Sequence, residues 1–411
     1  MDIALKAKQA SQSLRSSRKE ERDAFFDNLV NNLKTYQDDL INENKKDLSF
    51  AKEQGLSEAI IDRLKLDKPR IENLVKAVIE IKNQVEVVGQ TTSTQTMPNG
   101  LLVKRERVPL GVILMIFESR PNVIIDASCL AIKSGNSIIL KGGKEAYHSN
   151  MFLGEIIKRS IENIFSLDSV QVLASNDKEI IKELLLQNKY IDLVIPRGGE
   201  NLIKFVYENS KIPVIAHYKG VCHIYIDEYA NLDIAIPIVI NAKVSRPAVC
   251  NACETLLLHQ NLPSHFIKDL IVQLKSNKTE IRVCNSLFSL LEDQEIKLAI
   301  TEDWNTEYLD NILSIKLVET IDEAISHINK YGSLHTEAIV SDKKSNLEKF
   351  QKNIDASCIV FNASTRFNDG GELGLGAEIG ISTSKIHSFG PMGASGLTIE
   401  RFVVEGNGHI R

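Results

Sequence analysis

The sequence predicts an α/β protein built on two parallel sheets, each covered by helices. Three observations predict it. Between residues 111 and 226, short apolar strands alternate with amphipathic helices across short connections. A second series of the same kind runs from 255 to 362. Two strands of the first series end in glycine turns, Lys141-Gly-Gly-Lys144 and Pro196-Arg-Gly-Gly199, the second just ahead of a helix. Parallel sheets of this kind take ligands at the carboxyl ends of their strands.

Residues 1 to about 85 read as helical. Phe26, Leu29, Val30, Leu33, Tyr36 and Leu40 recur every three to four positions, and Ile71, Leu74, Val75, Val78 and Ile81 repeat the pattern. These helices are expected to pack on a domain flank and to carry no chemistry. Residues 90–100 are polar and end in the turn signal Pro98-Asn-Gly100. Leu101 to Val108 mixes apolar and charged residues, as an exposed or edge strand does.

The first α/β series follows. Strands are expected at 111–117, 136–140, 170–173, 191–195, 214–215 and 223–226, and helices at 122–133, 149–164, 177–187 and 200–209. A helix over 229–245 contains Pro237, which disfavours a helix interior. The second series has strands at 255–259, 281–284, 312–318, 337–340 and 358–362, with helices at 264–274, 321–329 and 347–353. The tail is glycine-dense at 368–380 and 389–396, as loops lining a site are, and 397–410 contains a further strand.

Composition narrows the function. The 411 residues are 43% hydrophobic and 25% charged, with a net charge of −5, an ordinary globular balance. An acidic chain argues against nucleic acid or an anionic membrane as the main partner. Apolar runs such as 234–240 are too short to span a bilayer, and the N-terminus lacks a signal-peptide core. The six cysteines have no framework spacing, so they are expected to be reduced, in a cytosolic protein.

The chemistry centres on Ser245-Arg-Pro-Ala-Val-Cys250-Asn-Ala-Cys253-Glu254. A thiol at a polar turn beside Arg246 can act as a nucleophile, because nearby positive charge favours the thiolate. The alternative is a buried structural cysteine. Cys253 is expected to be structural, or at most a resolving thiol. A lone C-x-x-C is half a metal site, so no metal is expected. The two glycine turns admit either a plain β-to-α connection or a phosphate. Neither is the G-x-G-x-x-G fingerprint.

Five stretches carry a resemblance: Val108-Pro-Leu-Gly-Val-Ile-Leu-Met-Ile-Phe-Glu-Ser-Arg-Pro-Asn122, Arg246-Pro-Ala-Val-Cys-Asn251, His335-Thr-Glu-Ala-Ile339, Gly374-Leu-Gly-Ala-Glu-Ile-Gly-Ile-Ser-Thr-Ser-Lys385, and the ending Gly390-Pro-Met-Gly393 with Gly406-Asn-Gly-His-Ile-Arg411. On these, the chain resembles the aldehyde dehydrogenase superfamily almost end to end, and within it the branch that reduces γ-glutamyl phosphate. The resemblance implies a Rossmann-type domain for NADP(H) over 1–93 and 109–228. It implies a second α/β catalytic domain over 229–388, and a small β flap for oligomerisation from 94–108 and 389–411. The implied reaction is NADPH-dependent reduction of L-glutamate 5-phosphate to the 5-semialdehyde and phosphate, the second step of proline synthesis from glutamate. A CoA-acylating aldehyde dehydrogenase is the alternative.

The resemblance also distributes roles. Cys250 matches the nucleophile that forms a thioester. Lys141 matches the lysine at the adenosine ribose, Gly198 the glycine at the pyrophosphate, and Glu307 the carboxylate at the nicotinamide ribose. Lys144 stands where NAD-using relatives often carry a glutamate, which favours NADP(H) on charge. Arg120 or Asn122 is expected to hold the oxyanion or the phosphate. Arg246, Arg366, Ser382, Thr383, Ser384 and Lys385 are candidate substrate binders. In Ala216-His217-Tyr-Lys-Gly220 no carboxylate stands where hydrolytic relatives carry their water-activating glutamate. The implied partners are γ-glutamyl phosphate, delivered from glutamate 5-kinase, and further copies of the chain as a dimer or tetramer.

Overall fold

The computed structural model describes residues 2–173, 178–216, 219–291, 293 and 295–411. The chain forms two units. The first comprises residues 1–216, 374–380 and 386–411, and the second 217–373 and 381–385.

The first unit opens with five helices: α1 (Asp2–Arg15), α2 (Lys19–Thr35), α3 (Gln37–Glu53), α4 (Glu58–Leu64) and α5 (Lys68–Asn83). Their apolar stripes are buried as the periodicity predicts, with Phe25, Phe26, Leu29 and Leu33 fully enclosed. The strands β1 (Thr91–Thr96) and β2 (Leu102–Pro109) form an antiparallel hairpin. Then come β3 (Val112–Phe117), α6 (Val123–Lys133), β4 (Ser137–Lys141), α7 (Tyr147–Ile161), β5 (Val170–Val172), α8 (Lys178–Leu185), β6 (Leu193–Arg197) and α9 (Glu200–Asn209).

Among the described residues of this unit, β5, β4, β3 and β6 form a parallel sheet in that spatial order. The run Val112-Ile-Leu-Met-Ile-Phe117 is apolar throughout because both of its faces are covered. Ile113, Met115 and Phe117 face the core made with α2, α5, α6 and α7. Val112, Leu114 and Ile116 face the opposite core, beside Ala4 and Ala7 of α1 and residues of α8 and α9. The C-terminal strand Thr398–Glu405 pairs antiparallel with β2, from Thr398 opposite Pro109 to Glu405 opposite Leu102. Lys104–Glu405 and Arg105–Glu400 ion pairs at 2.7 and 3.0 Å lie across that pairing. β1 is exposed along its whole length.

The second unit carries β7 (Cys222–Ile226), α10 (Leu232–Val244), β8 (Cys253–His259), α11 (Ser264–Ser276), β9 (Glu280–Val283), α12 (Asn285–Leu291), β10 (Lys297–Leu298), β11 (Ile312–Val318), α13 (Ile321–Tyr331), β12 (Thr336–Val340), α14 (Lys344–Asn353) and β13 (Cys358–Phe361). The strands form one parallel sheet in the order β10-β9-β11-β8-β7-β12-β13. α10, α11 and α12 pack on one face over Ile224, Leu256 and Ala338; α13 and α14 pack on the other over Tyr225, Leu257 and Ile339. α10 runs unbroken through Pro237. None of the described helices is long and apolar enough to cross a membrane.

Two sequence expectations are corrected. The strand predicted at 223–226 as part of the first sheet is β7, and it lies in the middle of the second sheet, between β8 and β12. The boundary between the units therefore falls at 216/217, not at 228/229. Residues 374–380 and 386–388, expected in the catalytic domain, belong to the first unit. There the Arg197 guanidinium donates to the carbonyls of Glu378 and Ile379, both at 3.2 Å, and Ile379 is buried in the first core. Residues 214–215 contribute a single bridge, Val194 to Val214.

Candidate active site

In the first unit, the predicted cofactor residues cluster at the carboxyl ends of adjacent strands. Lys141 is the last residue of β4, and Arg197 is the last of β6. The loop after β3 carries Glu118, Ser119, Arg120 and Asn122 into α6. Lys141 is 8% exposed, its ammonium donating to the Gly142 carbonyl, and burial draws its pKa down. Lys144 is exposed in a short turn at 144–146.

Gly198 leads directly into α9. A Cβ there would stand 2.4 Å from Glu118 Oε2 and 2.8 Å from Leu202 Cδ2, so a larger residue would have to displace those side chains. The next amide, Gly199 N–H, donates to Glu118 Oε2 at 2.9 Å. A carboxylate thus occupies the helix start, where the dipole and free amides favour an anion. This donor set fits a dinucleotide pyrophosphate. Similarly, Ser119, held at φ +47, donates its amide and its hydroxyl to Glu145 Oε1 at 2.6 and 2.8 Å.

Asn122 stands at the start of α6 with its amide donating to Asp126 Oδ2 at 2.9 Å. Burial pushes the Asp126 carboxyl up to about 6, against the pull of that hydrogen bond and of Arg197. Such a group keeps its proton longer folded than unfolded. The folded state therefore loses relative stability as pH rises from 3.8 through about 6, and the loss persists above that range. Asp126→Asn keeps an acceptor for Asn122 and removes the buried charge. Chemical denaturation should show it more stable than the parent at pH 8 by about 1–3 kcal/mol, and no more stable at pH 4.

In the second unit, the thiol turn lies at the amino ends of the central strands, the opposite end from the usual ligand position. Cys250 sits between α10 and β8, half-buried. The next two strands on one side of β8, β7 and then β12, bring their opening residues towards it. The Cys222 thiol, starting β7, donates to the Cys250 carbonyl at 3.1 Å. Cys222 Sγ is also 3.6 Å from His335 Nδ1, just ahead of β12. His335 Nδ1 and Thr336 Oγ1 are paired at 2.7 Å, and the Asn368 amide donates to the same hydroxyl at 2.7 Å.

Asn251 ties this turn to the 365–368 segment. Its amide donates to the Asn368 carbonyl at 3.0 Å, and its carbonyl accepts from Thr365 Oγ1 at 2.7 Å. The Arg366 guanidinium donates to the Asn251 side-chain oxygen. Arg366 interacts electrostatically with both Cys250 and Arg246, and burial draws its pKa down. Arg366 thus senses the Cys250 sulfur as well as Arg246, and positive charge near a thiol favours the thiolate.

The other two cysteines nearby are of a different kind. Cys222 and Cys253 face each other across β7 and β8, both fully buried, and burial pushes both thiols far up. The remaining predicted binders are more dispersed. Glu307 is half-buried in the loop after Asn305. Ser384 N–H donates to Ser382 Oγ at 3.2 Å, Thr383 is half-buried between them, and Lys385 is ion-paired with Asp355. His217 lies outside the described residues. Among the described residues no group of three or more His, Cys, Asp and Glu could hold a metal ion.

Gly220, Cys222, His335, Asn251 and Asn368 are the participants that sequence reasoning missed. Their contacts join positions 28 to 117 residues apart. The only local signal is a glycine two residues before a strand-opening cysteine.

The first unit carries a parallel sheet of the dinucleotide-binding type, and the second a cysteine turn near a cationic side chain, features in keeping with an oxidoreductase. Residues 2–283 match the aldehyde dehydrogenase family, and the chain belongs to that family, which implies a nicotinamide cofactor. The chain is 48% identical over 412 aligned positions to the γ-glutamyl phosphate reductase of Desulfatibacillum aliphaticivorans, covering 100% of this chain and 98% of that one. The crystal structure of γ-glutamyl phosphate reductase from Thermotoga maritima superposes with a TM-score of 0.95 at 39% identity, covering 100% of this chain and 99% of that one. An acetylating aldehyde dehydrogenase from Geobacillus thermoglucosidasius, 17% identical and with a TM-score of 0.72 over 100% of this chain and 97% of that one, shares the fold.

Proposed function

We propose that this protein reduces L-glutamate 5-phosphate to L-glutamate 5-semialdehyde and phosphate with NADPH, through a thioester on Cys250, as the second step of proline synthesis from glutamate. The observation that carries the reading is the thiol turn itself, with Cys250 half-buried beside Arg246 and Arg366. The 48% and 39% identical relatives named for this activity support the choice of substrate.

The Cys250 thiolate attacks the acyl-phosphate carbon, the carbon–sulfur bond forms, and phosphate leaves with the electrons of the broken C–O bond. When bound, the dinucleotide supplies the hydride that reduces the acyl group. Reduction leaves the alkoxide of a thiohemiacetal on Cys250. Its collapse breaks the carbon–sulfur bond, releases the aldehyde and returns the thiolate. Covalent catalysis divides the overall displacement into easier steps.

Lys141, Gly198 and the Gly199 amide would hold the dinucleotide at the carboxyl ends of β4 and β6, and Glu307 its nicotinamide ribose. Arg246 and Arg366 suit the phosphate and carboxylate of the substrate by their forked geometry. Ser384 and Lys385 are further substrate contacts in this reading. Asn122 or Arg120 steadies the developing oxyanion or the phosphate. The stretch 216–220 carries no carboxylate to activate water, which suits a thioester awaiting hydride.

The test is the reverse reaction: semialdehyde, phosphate and NADP+ in, NADPH out. Activity without phosphate, or activity only with CoA, sinks the proposal. Lys144→Glu puts a carboxylate where an exposed ammonium would meet the 2′-phosphate. It should raise the KM for NADP+ by about tenfold or more while leaving that for NAD+ unchanged or lower.

Substrate transfer from glutamate 5-kinase and self-association complete the reading. The exposed edge of β1, six residues long, supports strand pairing between copies of the chain. Light scattering that shows only monomer refutes that part.

A further inference from the structure

The turn bearing Cys250 is bracketed by two charged residues that have no part in the chemistry above. Lys243 lies near the end of α10, and Glu254 is the second residue of β8. Both are wholly buried, and Lys243 Nζ meets Glu254 Oε2 at 2.7 Å. A buried ion pair is a poor stabiliser, since an apolar pair of similar volume does as well or better. Its connections point to another use.

The Leu309 amide, two residues beyond Glu307, favours the charged form of the Glu254 carboxylate, whereas the Glu307 carboxylate opposes it. Leu309 is held at φ +53, a left-handed conformation in which a leucine is strained unless its surroundings fix it. The residue between them, Tyr308, has Lys243 Nζ 6.0 Å and the Arg282 guanidinium 5.1 Å from its ring centre. The Tyr308 hydroxyl donates to Asp303 Oδ1 at 2.8 Å and lies 2.7 Å from Ser314 Oγ. The loop carrying Glu307 therefore lies against the same two residues that bracket Cys250, through the Lys243 ammonium at the Tyr308 ring and the Leu309 amide facing Glu254. Glu254 Oε1 accepts no hydrogen bond among the described residues, so the Lys243 contact to Oε2 makes up the described hydrogen bonding of this carboxylate.

We propose that Lys243 and Glu254 form a positioning clamp that fixes the Cys250 turn and the Glu307 loop to one another, so that the thiol and the carboxylate that holds the cofactor ribose keep a constant separation. This rests on the reading of Cys250 as nucleophile and Glu307 as ribose ligand. Neither clamp residue touches substrate or cofactor. Burial pushes the Glu254 carboxyl up to about 8, a sign that the environment works against this charge and that its neighbours must offset it.

The test uses the full chain with the double variant Lys243→Met/Glu254→Leu, which removes both charges together and leaves neither buried alone. Glu307→Gln is measured in parallel. Three quantities are read: calorimetric binding of NADP+ to the protein alone, the rate of Cys250 alkylation by iodoacetamide, and kcat and KM in the phosphate-dependent reverse assay. The clamp predicts unchanged melting, NADP+ binding weakened about tenfold, kcat lowered on the order of 10-fold to 100-fold, and KM for phosphate unchanged. Glu254→Gln, whose side-chain oxygen can still accept from the Lys243 ammonium, should recover most of the binding.

If the folded double variant binds NADP+ and turns over like the parent while Glu307→Gln binds weakly, the clamp is wrong and the functional reading survives. If Glu307→Gln binds NADP+ like the parent, the reading of Glu307 fails and the clamp with it. Should the double variant not fold, Tyr308→Leu leaves the ion pair in place and loosens only the loop. The same loss of NADP+ affinity then supports the clamp, and parental affinity overturns it.

Discussion

Cys250→Ala is expected to lower kcat/KM of the phosphate-dependent reverse reaction by on the order of 10⁴-fold or more, with melting unchanged. The side chain is half-buried at a turn and is not part of either hydrophobic core of its unit, so its removal leaves little void. The chemistry, in contrast, has no second thiol to fall back on. Cys222 and Cys253 are fully buried, and burial holds both as neutral thiols. Cys358 is pushed the same way by burial, and Cys129 lies deep in the first core. Cys284, half-buried, has its sulfur engaged by the Leu317 amide at 3.4 Å. Residual activity within tenfold of the parent would mean the reaction does not pass through a Cys250 thioester. A second reading of the same experiment is trapping: substrate added without cofactor should label the parent at Cys250 and leave the variant unlabelled.

How far this was legible in the sequence depends on the kind of information each feature needs. The run Gly111-Val-Ile-Leu-Met-Ile-Phe117 announces a strand covered on both faces, and the structure buries Val112 to Phe117 completely. Helix periodicity over 26–40 and 71–81 translates directly into buried stripes. These are local patterns. Sheet membership is not local. Residues 223–226 read correctly as a strand, yet nothing in them says that their neighbours are β8 and β12 and not the strands just before them. Short amphipathic pieces such as α12, seven residues long, fall below the length at which a period can be recognised.

The site divides in the same way. Cys250 and Arg246 share one turn and could be named from it. The anion-like position at Gly198 could be named as a glycine before a helix, but the Glu118 carboxylate that occupies it comes from the end of a neighbouring strand. Cys222, His335 and Asn368 reach the thiol turn only because β7, β8 and β12 are adjacent in the sheet. The clamp residues are a further case. Lys243 and Glu254 carry no local signal that sets them apart, whereas the fold buries both entirely and turns them on each other.

Gly220→Ala is the second large effect, and it separates position from chemistry. A Cβ on Gly220 would lie 2.1 Å from the Cys250 carbonyl oxygen and 2.7 Å from its carbonyl carbon and Cα. The obstacle is backbone, so a rotamer change cannot relieve it. The Gly220 side cannot retreat easily, because its own carbonyl accepts the Cys222 amide at 3.1 Å and the Val221 amide is bound to Ser333 Oγ at 2.9 Å. The Cys250 carbonyl is in turn held by the Cys222 thiol. The strain must then move the segment bearing the nucleophile. A shift of about 1 Å in a reacting group costs roughly 10²-fold in rate, and overpacking of this kind costs about 1–3 kcal/mol of stability. The expected result is therefore a folded protein, its melting lowered by a few degrees, with kcat down on the order of 100-fold and KM for NADP+ little changed, since the obstacle is the backbone of Cys250. Cys250 should still be alkylated by iodoacetamide, because the thiol is present and only its aim is lost. Parental kcat in Gly220→Ala would show that the turn can yield without consequence, and that the tight packing beneath Cys250 is not what sets the direction of its attack.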